Sequence, residues 1–166
     1  MKKRYITRRS STTRKIGAIL AEKLLKIQPK DRALIIGLRG ELGSAKTTFS
    51  QGFARGLGIK EKILSPTFII MRKLKIENCK LIENCKLKIE NFYHVDCYRV
   101  ERSKEILDIG FKNIIANPQN IVAIEWPEKI KKILPQDIIW INFRFINKNT
   151  REISRRLTSV TTFPDV

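Results

Sequence analysis

"ALIIGLRGELGSAKTTFSQGFARGLG", residues 33–58, decides how the whole chain is read. Its first six residues are a short continuous apolar run, the pattern of a strand buried in a parallel sheet. After residues 39–45, Phe49, Phe53 and Leu57 recur four residues apart, and Gly58 stops the pattern, as in an amphipathic helix. A glycine-rich loop therefore joins a strand to a helix. Gly40, Lys46 and Thr47 match the phosphate-loop pattern G-x-x-x-x-G-K-[ST], and the strand–loop–helix setting lifts the match above a chance string. One position departs: Ala45 stands where the pattern has glycine.

The chemistry such a loop serves is the binding of crowded phosphates. A strand-to-helix turn offers unpaired backbone N–H groups and the positive end of a helix dipole. Lys46 would add a point charge at the β- and γ-phosphates of ATP, and the Thr47 hydroxyl would hold Mg2+ beside it. Ala45 adds one methyl at the tightest point. If that residue is left-handed the cost is about 1–2 kcal/mol; if it is right-handed, only the approach of the methyl to phosphate matters. Hydrolysis also needs an acid near the metal, and in open α/β sheets ligands gather at the carboxyl ends of strands. Glu125 follows the apolar run "IVAI" and Asp96 ends "FYHVD", so both are candidates, each also readable as a plain surface carboxylate at a strand end.

The chain has 166 residues, of which 42% are hydrophobic, enough for one domain with a real core. No apolar run reaches the roughly eighteen residues needed to span a bilayer, and a soluble, cytoplasmic protein is expected. The net charge of +18 has two readings. One is a polyanionic partner such as nucleotide, RNA or an acidic protein; the other is the Lys, Ile and Asn usage of an AT-rich genome, since the lysines are scattered. Residues 1–11 read as a basic N-terminal extension, whose Ser/Thr-rich, acid-free composition also fits a transit peptide. Cys79, Cys85 and Cys97 are odd in number and fit reduced thiols. Together with His94 they could be imagined as a zinc site, but they lack CxxC spacing.

Elsewhere Thr12 or Thr13 can cap a helix whose apolar face is Ile16, Ile19, Leu20, Leu24 and Ile27. "SPTFII" and "NFYHVDCY" read as strands flanking residues 73–91, where "IENCKL" and "KLKIEN" each occur twice. This is a tandem duplication that lengthens a hairpin, and loop-closure entropy tolerates it. "SKEILDIGF" starts a short helix capped by Ser103, and Pro127 suits the first turn of another. "DIIWINFRFI" and "REISRRLTSV" read as two final strands joined by "NKNT". The expected fold is a single three-layer α/β domain of the P-loop NTPase type, residues 1–166, with a mixed, mainly parallel sheet.

Taken in order, "GELGSAKTTF" (40–49), "SPTF" (65–68), "YHVDCYR" (93–99) and "IEWPE" (124–128), preceded by "TRKIGAILA" (13–21), closely resemble the bacterial TsaE family. The resemblance runs from about Thr12 to Val160. It implies a Mg2+-dependent P-loop ATPase required for N6-threonylcarbamoyladenosine at position 37 of tRNA, working with the partner proteins TsaD and TsaB and meeting tRNA through that complex. By motif position the nucleotide would be held by Thr13, Gly40, Gly43, Ser44, Ala45, Lys46, Thr47, Thr48 and Phe49. The metal would be held by Thr47 and Glu125, and Lys46, Asp96 and Glu125 would serve catalysis. Ser65 and Thr67 fall on a switch-like loop, and Trp126 shares the Glu125 motif. Against the ATPase stand two other readings: a degenerate module that binds nucleotide and docks without hydrolysing it, favoured by Ala45 alone, and a small P-loop kinase, for which no Arg-rich lid is visible.

Overall fold

Residues buried on both faces set the centre of the sheet. The computed structural model describes residues 2–26, 31–64, 69–76 and 89–156. The strands are β1 (Lys2–Thr7), β2 (Leu34–Arg39), β3 (Met71–Lys75), β4 (Asn91–Asp96), β5 (Asn120–Glu125), β6 (Ile139–Asn147) and β7 (Thr150–Arg156). Every residue of β5 is buried, so it can only be an interior strand. The seven form one sheet in the order β1-β7-β6-β2-β5-β4-β3. β6, β2, β5 and β4 are mutually parallel. β7 and β3 run against their neighbours, and β1, antiparallel to β7, points the same way as the central four.

Two helical layers cover this mixed sheet. On one face lie α1 (Ser10–Leu24) and α2 (Lys46–Gly56), whose Leu20, Leu24, Phe49 and Phe53 pack on Ile36, Leu38, Phe92 and Ile121. On the other lie α3 (Ser103–Asp108), α4 (Phe111–Ala116) and the 3-10 helix Pro127–Ile133, with Ile106, Phe111 and Ile130 against Val95, Val122 and Ile124. The three-layer α/β architecture is the one expected.

Several local expectations change. Residues 2–7 are not an extension but the edge strand of the sheet, paired with β7 from Lys2↔Arg156 to Thr7↔Arg151. The first helix begins at Ser10, with extended Arg9 at its N-cap, so neither Thr12 nor Thr13 caps it. The Arg9 carbonyl accepts the N–H groups of both threonines, at 3.1 and 3.3 Å. The segment after Ser103 is two helices, broken at Gly110 with φ +81. There the N-cap is Arg102 rather than Ser103, and Glu105 reaches back to accept its N–H at 2.8 Å. The hairpin arms are β3 and β4, but Ile69 and Ile70 of "SPTFII" lie before the first arm, which is Met71–Lys75 and runs into the duplicated segment; the pairing continues with the Ile76 N–H to the Glu90 carbonyl at 2.9 Å. The middle of the duplicated segment, with Cys79 and Cys85, lies outside the described residues, as does "SPTF" with Ser65 and Thr67.

α1 and α2 approach each other through glycines. A Cβ at Gly17 would meet the backbone of Phe49, and one at Gly56 the backbone of Ala18. At Gly52 it would run into the carbonyl of Arg14. This contact holds α2, which starts at Lys46, beside the helix that carries Thr13. Gly52→Ala is therefore expected to destabilise the fold by about 1–3 kcal/mol or more, the cost of overpacking against backbone that cannot give way. Urea unfolding of the two proteins checks it.

Candidate functional site

The parallel strands bring their carboxyl ends to one edge. Asp96 ends β4 and Glu125 ends β5, and the two are register partners, as are Leu38 and Glu125. The loop after β2 crosses this edge before entering α2. A cleft of about 530 Å3 opens there. Its lining includes Thr13, Gly43, Ala45, Lys46, Thr47, Thr48, Asp96, Glu125 and Trp126 from the sequence-derived set.

The loop geometry settles the question posed by Ala45. Its φ of 77° and ψ of 27° are left-handed, and α2 starts at the next residue. The fold thus holds a methyl-bearing residue where glycine would be unstrained, at a cost of about 1–2 kcal/mol. Gly40 is needed for a different reason: a Cβ there would run into the backbone carbonyl of Phe143, with the Phe143 Cβ and the Ser44 hydroxyl each at 2.9 Å. The first backbone bond of the helix runs from the Phe49 N–H to the Ala45 carbonyl at 3.0 Å. The N–H groups of Lys46, Thr47 and Thr48 are therefore left without helical acceptors.

Lys46 is only 5% exposed. Its ammonium donates to the Gly40 and Glu41 carbonyls at 2.7 and 2.8 Å and lies 4.2 Å from the centroid of the Trp126 ring. Burial lowers its pKa from the ordinary lysine value, and the carboxylates of Glu125 and Asp96, with smaller parts from Glu128 and Glu41, pull it back up. Gly40 and Ser44 thus serve the loop from behind, steadying Lys46, and are absent from the cleft lining. Trp126 is itself left-handed, at φ 59°, with its N–H on the Leu38 carbonyl at 3.3 Å and Tyr98 packed 5.3 Å away ring to ring.

Glu125 is the hub of the polar contacts. It is 3% exposed, and both its oxygens are engaged. Oε2 accepts from the Thr47 hydroxyl at 3.0 Å, and Oε1 contacts His94 Nε2 at 2.9 Å. Asp96, 4% exposed, accepts the Tyr98 N–H at 2.9 Å, and its own N–H goes to the carbonyl of Ile70, another left-handed residue at φ 61°. Thr13 is buried beside the cleft and donates to the Thr7 hydroxyl at 3.0 Å.

Phe49 also lies outside the cleft lining. Its ring is 1% exposed and packs edge-on against Phe143 at 5.4 Å, facing the core under α2. Its N–H is spent within the helix, so neither part is offered to a ligand. Other contributors were not singled out in the sequence. Arg151 of β7 donates to the Gly43 carbonyl at 2.8 Å, and Glu41 accepts the Phe145 N–H at 3.3 Å, tying the loop to the β6–β7 hairpin. No local motif marks a pairing across so many residues. In sequence His94 reads only as a zinc ligand with the cysteines. Strand alternation places it on the face of Asp96, two residues on, and Cys97 on the opposite face. Cys97 is fully buried among the second layer, and burial pushes its thiol up to about 12.

A strand–loop–helix with Lys46 and Thr47 opening the helix, set over acidic strand ends, makes this a P-loop α/β domain. The chain belongs to the TsaE family: the model described as "Threonylcarbamoyl adenosine biosynthesis protein TsaE" matches residues 7–153. The chain is 29% identical over 151 residues to the tRNA threonylcarbamoyladenosine biosynthesis protein TsaE of Treponema pallidum, covering 91% of this chain and 98% of that one. It is 34% identical over 120 residues to the Bacillus subtilis protein of the same name, covering 72% and 67%. The crystal structure of Bacillus subtilis YdiB has the same fold, with a TM-score of 0.68 at 24% identity over 93% of this chain and 84% of that one.

Two outcomes are expected at this site. Ala45→Gly should stabilise the protein by up to about 1 kcal/mol, the relief of the left-handed Cβ less the extra entropy of ordering glycine. Chemical denaturation reads it, and a loss of stability would contradict the left-handed turn. Cys97 should resist alkylation in the folded protein and react only on unfolding, because the thiolate is the nucleophile. Mass spectrometry of the peptide holding Cys97 follows that reaction.

Proposed function

We propose that the chain is an ATPase of tRNA N6-threonylcarbamoyladenosine synthesis, binding Mg-ATP at residues 40–48 and acting with the partner proteins TsaD and TsaB. The observation that carries the reading is the hydrogen bond between Thr47 and Glu125, which joins the start of the phosphate-loop helix to an acidic strand end. Membership of the TsaE family supplies the pathway. tRNA would be met through the complex, in the cytoplasm. Among the described residues no helix is long and apolar enough to cross a membrane.

Mg2+ suits the donors present. Thr47 and Glu125 offer hard oxygens, and among the described residues no group of three or more His, Cys, Asp or Glu forms an all-protein cage. That is the pattern for an ion held by one or two carboxylates and the substrate phosphates. When bound, the ion would neutralise charge on the β- and γ-oxygens. The residues of the chain do the rest. The N–H groups of Lys46, Thr47 and Thr48 would bind the phosphates, and the ammonium of Lys46 would add a fixed charge. Asp96, beside Glu125 at the strand ends, would orient or deprotonate the attacking water. Thr13 would bound the nucleotide from the side of α1.

A second reading is favoured by one observation, the left-handed Ala45: a nucleotide-binding partner of the same complex that does not hydrolyse ATP. Phosphate release by the pure protein, with and without the TsaD–TsaB pair, separates the two. The ATPase reading expects turnover that falls by about 100-fold or more in Lys46→Ala and Asp96→Ala, from the loss of electrostatic and acid–base contributions. Binding of Mg-ADP with no turnover in any mixture would leave the binding module.

A further inference from the structure

We infer that His94 is the positioning residue of the site, fixing the carboxylate of Glu125 so that its other oxygen faces Thr47 and the cleft. The inference rests on the reading of residues 40–48 as a Mg-nucleotide site and adds a residue to it.

His94 lies at the centre of β4 and has no exposed surface. An ionised carboxylate only accepts hydrogen bonds, so Nε2 carries the hydrogen in the 2.9 Å contact with Glu125 Oε1. The remaining oxygen, Oε2, is thereby turned to the Thr47 hydroxyl. The imidazole cannot swing away. Its plane lies 10° from that of Phe92, centroids 6.4 Å apart, and Phe92 packs in turn on Phe53 of α2. On β5 its register partner is Ala123, a small residue between Val122 and Ile124.

The second nitrogen argues that this contact is not incidental. Nδ1 is buried and has no hydrogen-bond partner among the described residues. A buried polar atom without a partner costs stability, and such atoms in a folded core call for a reason. A side chain wanted for packing alone would be apolar at this position. The imidazole is explained by Nε2, which supplies a donor to a buried carboxylate that Thr47 and the cleft engage from the other side. Outer partners of this kind orient ligating groups, and their loss typically costs 10–100-fold in metal affinity or activity.

The experiment compares the parent with His94→Leu, which keeps bulk and removes the donor, and His94→Gln, whose amide nitrogen can stand in for Nε2. ADP affinity measured in EDTA reads the phosphate loop alone, and a parent that binds no ADP either there or with Mg2+ sinks the nucleotide reading itself. ADP affinity against Mg2+ concentration, together with ATP turnover, reads the carboxylate. The expected result is unchanged ADP affinity in EDTA for all three. In His94→Leu the Mg2+ requirement should rise and turnover fall by about 10–100-fold, with recovery in His94→Gln. Parent-like Mg2+ dependence and turnover in His94→Leu would overturn the inference and leave the loop reading standing. A further readout needs no variant. Imidazole nitrogen NMR of the parent should show a slowly exchanging hydrogen on Nε2 of this only histidine, and a hydrogen on Nδ1 alone would overturn the inference.

Discussion

The left-handed turn at Ala45 is the constraint on which the site depends. It ends the loop from β2 and starts α2 within one residue. That abrupt start leaves the N–H groups of Lys46, Thr47 and Thr48, residues that line the cleft, without helical acceptors. It brings the Thr47 hydroxyl within 3.0 Å of Glu125 and lets Lys46 fold back onto the carbonyls of its own loop. A one-residue shift in the helix start would turn Thr47 away from Glu125 by about 100°. The strain at Ala45 is small beside the burial that surrounds it. Phe49 and Phe53, the next turns of the helix, are fully packed in the core and fix α2 independently of the loop.

Strain gathers at this edge of the sheet. Ala45, Ile70 and Trp126 are the described residues other than glycine with positive φ. Ile70 holds the backbone of Asp96, and Trp126 follows Glu125 and lies over Lys46. Each such residue costs of order 1–3 kcal/mol and persists because its neighbours over-determine it. All three touch a group assigned to the chemistry. A chain selected for stability alone would have no reason to concentrate them there.

The sequence made the centre of this fold legible and its edges much less so. β2, β5 and the loop between β2 and α2 were readable because continuous apolar runs and a fixed-spacing motif are local properties. The strand ends at Asp96 and Glu125 followed from the same runs. β1 was not readable: Lys2, Lys3 and Arg4 make half of it basic, and it is a strand because β7 offers it an edge. Thr13 lines the cleft, but its hydroxyl donates to Thr7 rather than capping the helix. Phe49 adjoins the motif in sequence, whereas helical geometry turns it into the core. His94 and Glu125 lie on different strands, and only the β4–β5 register brings them together.

The central claim is that the loop binds phosphates despite Ala45. Amide hydrogen exchange with and without Mg-ADP tests it most directly, since it reports each N–H group in place. The account predicts slowed exchange at residues 43–48, with β1 and β7 far less affected. Unchanged exchange across 43–48 at saturating nucleotide, or protection confined to another part of the sheet, would contradict it.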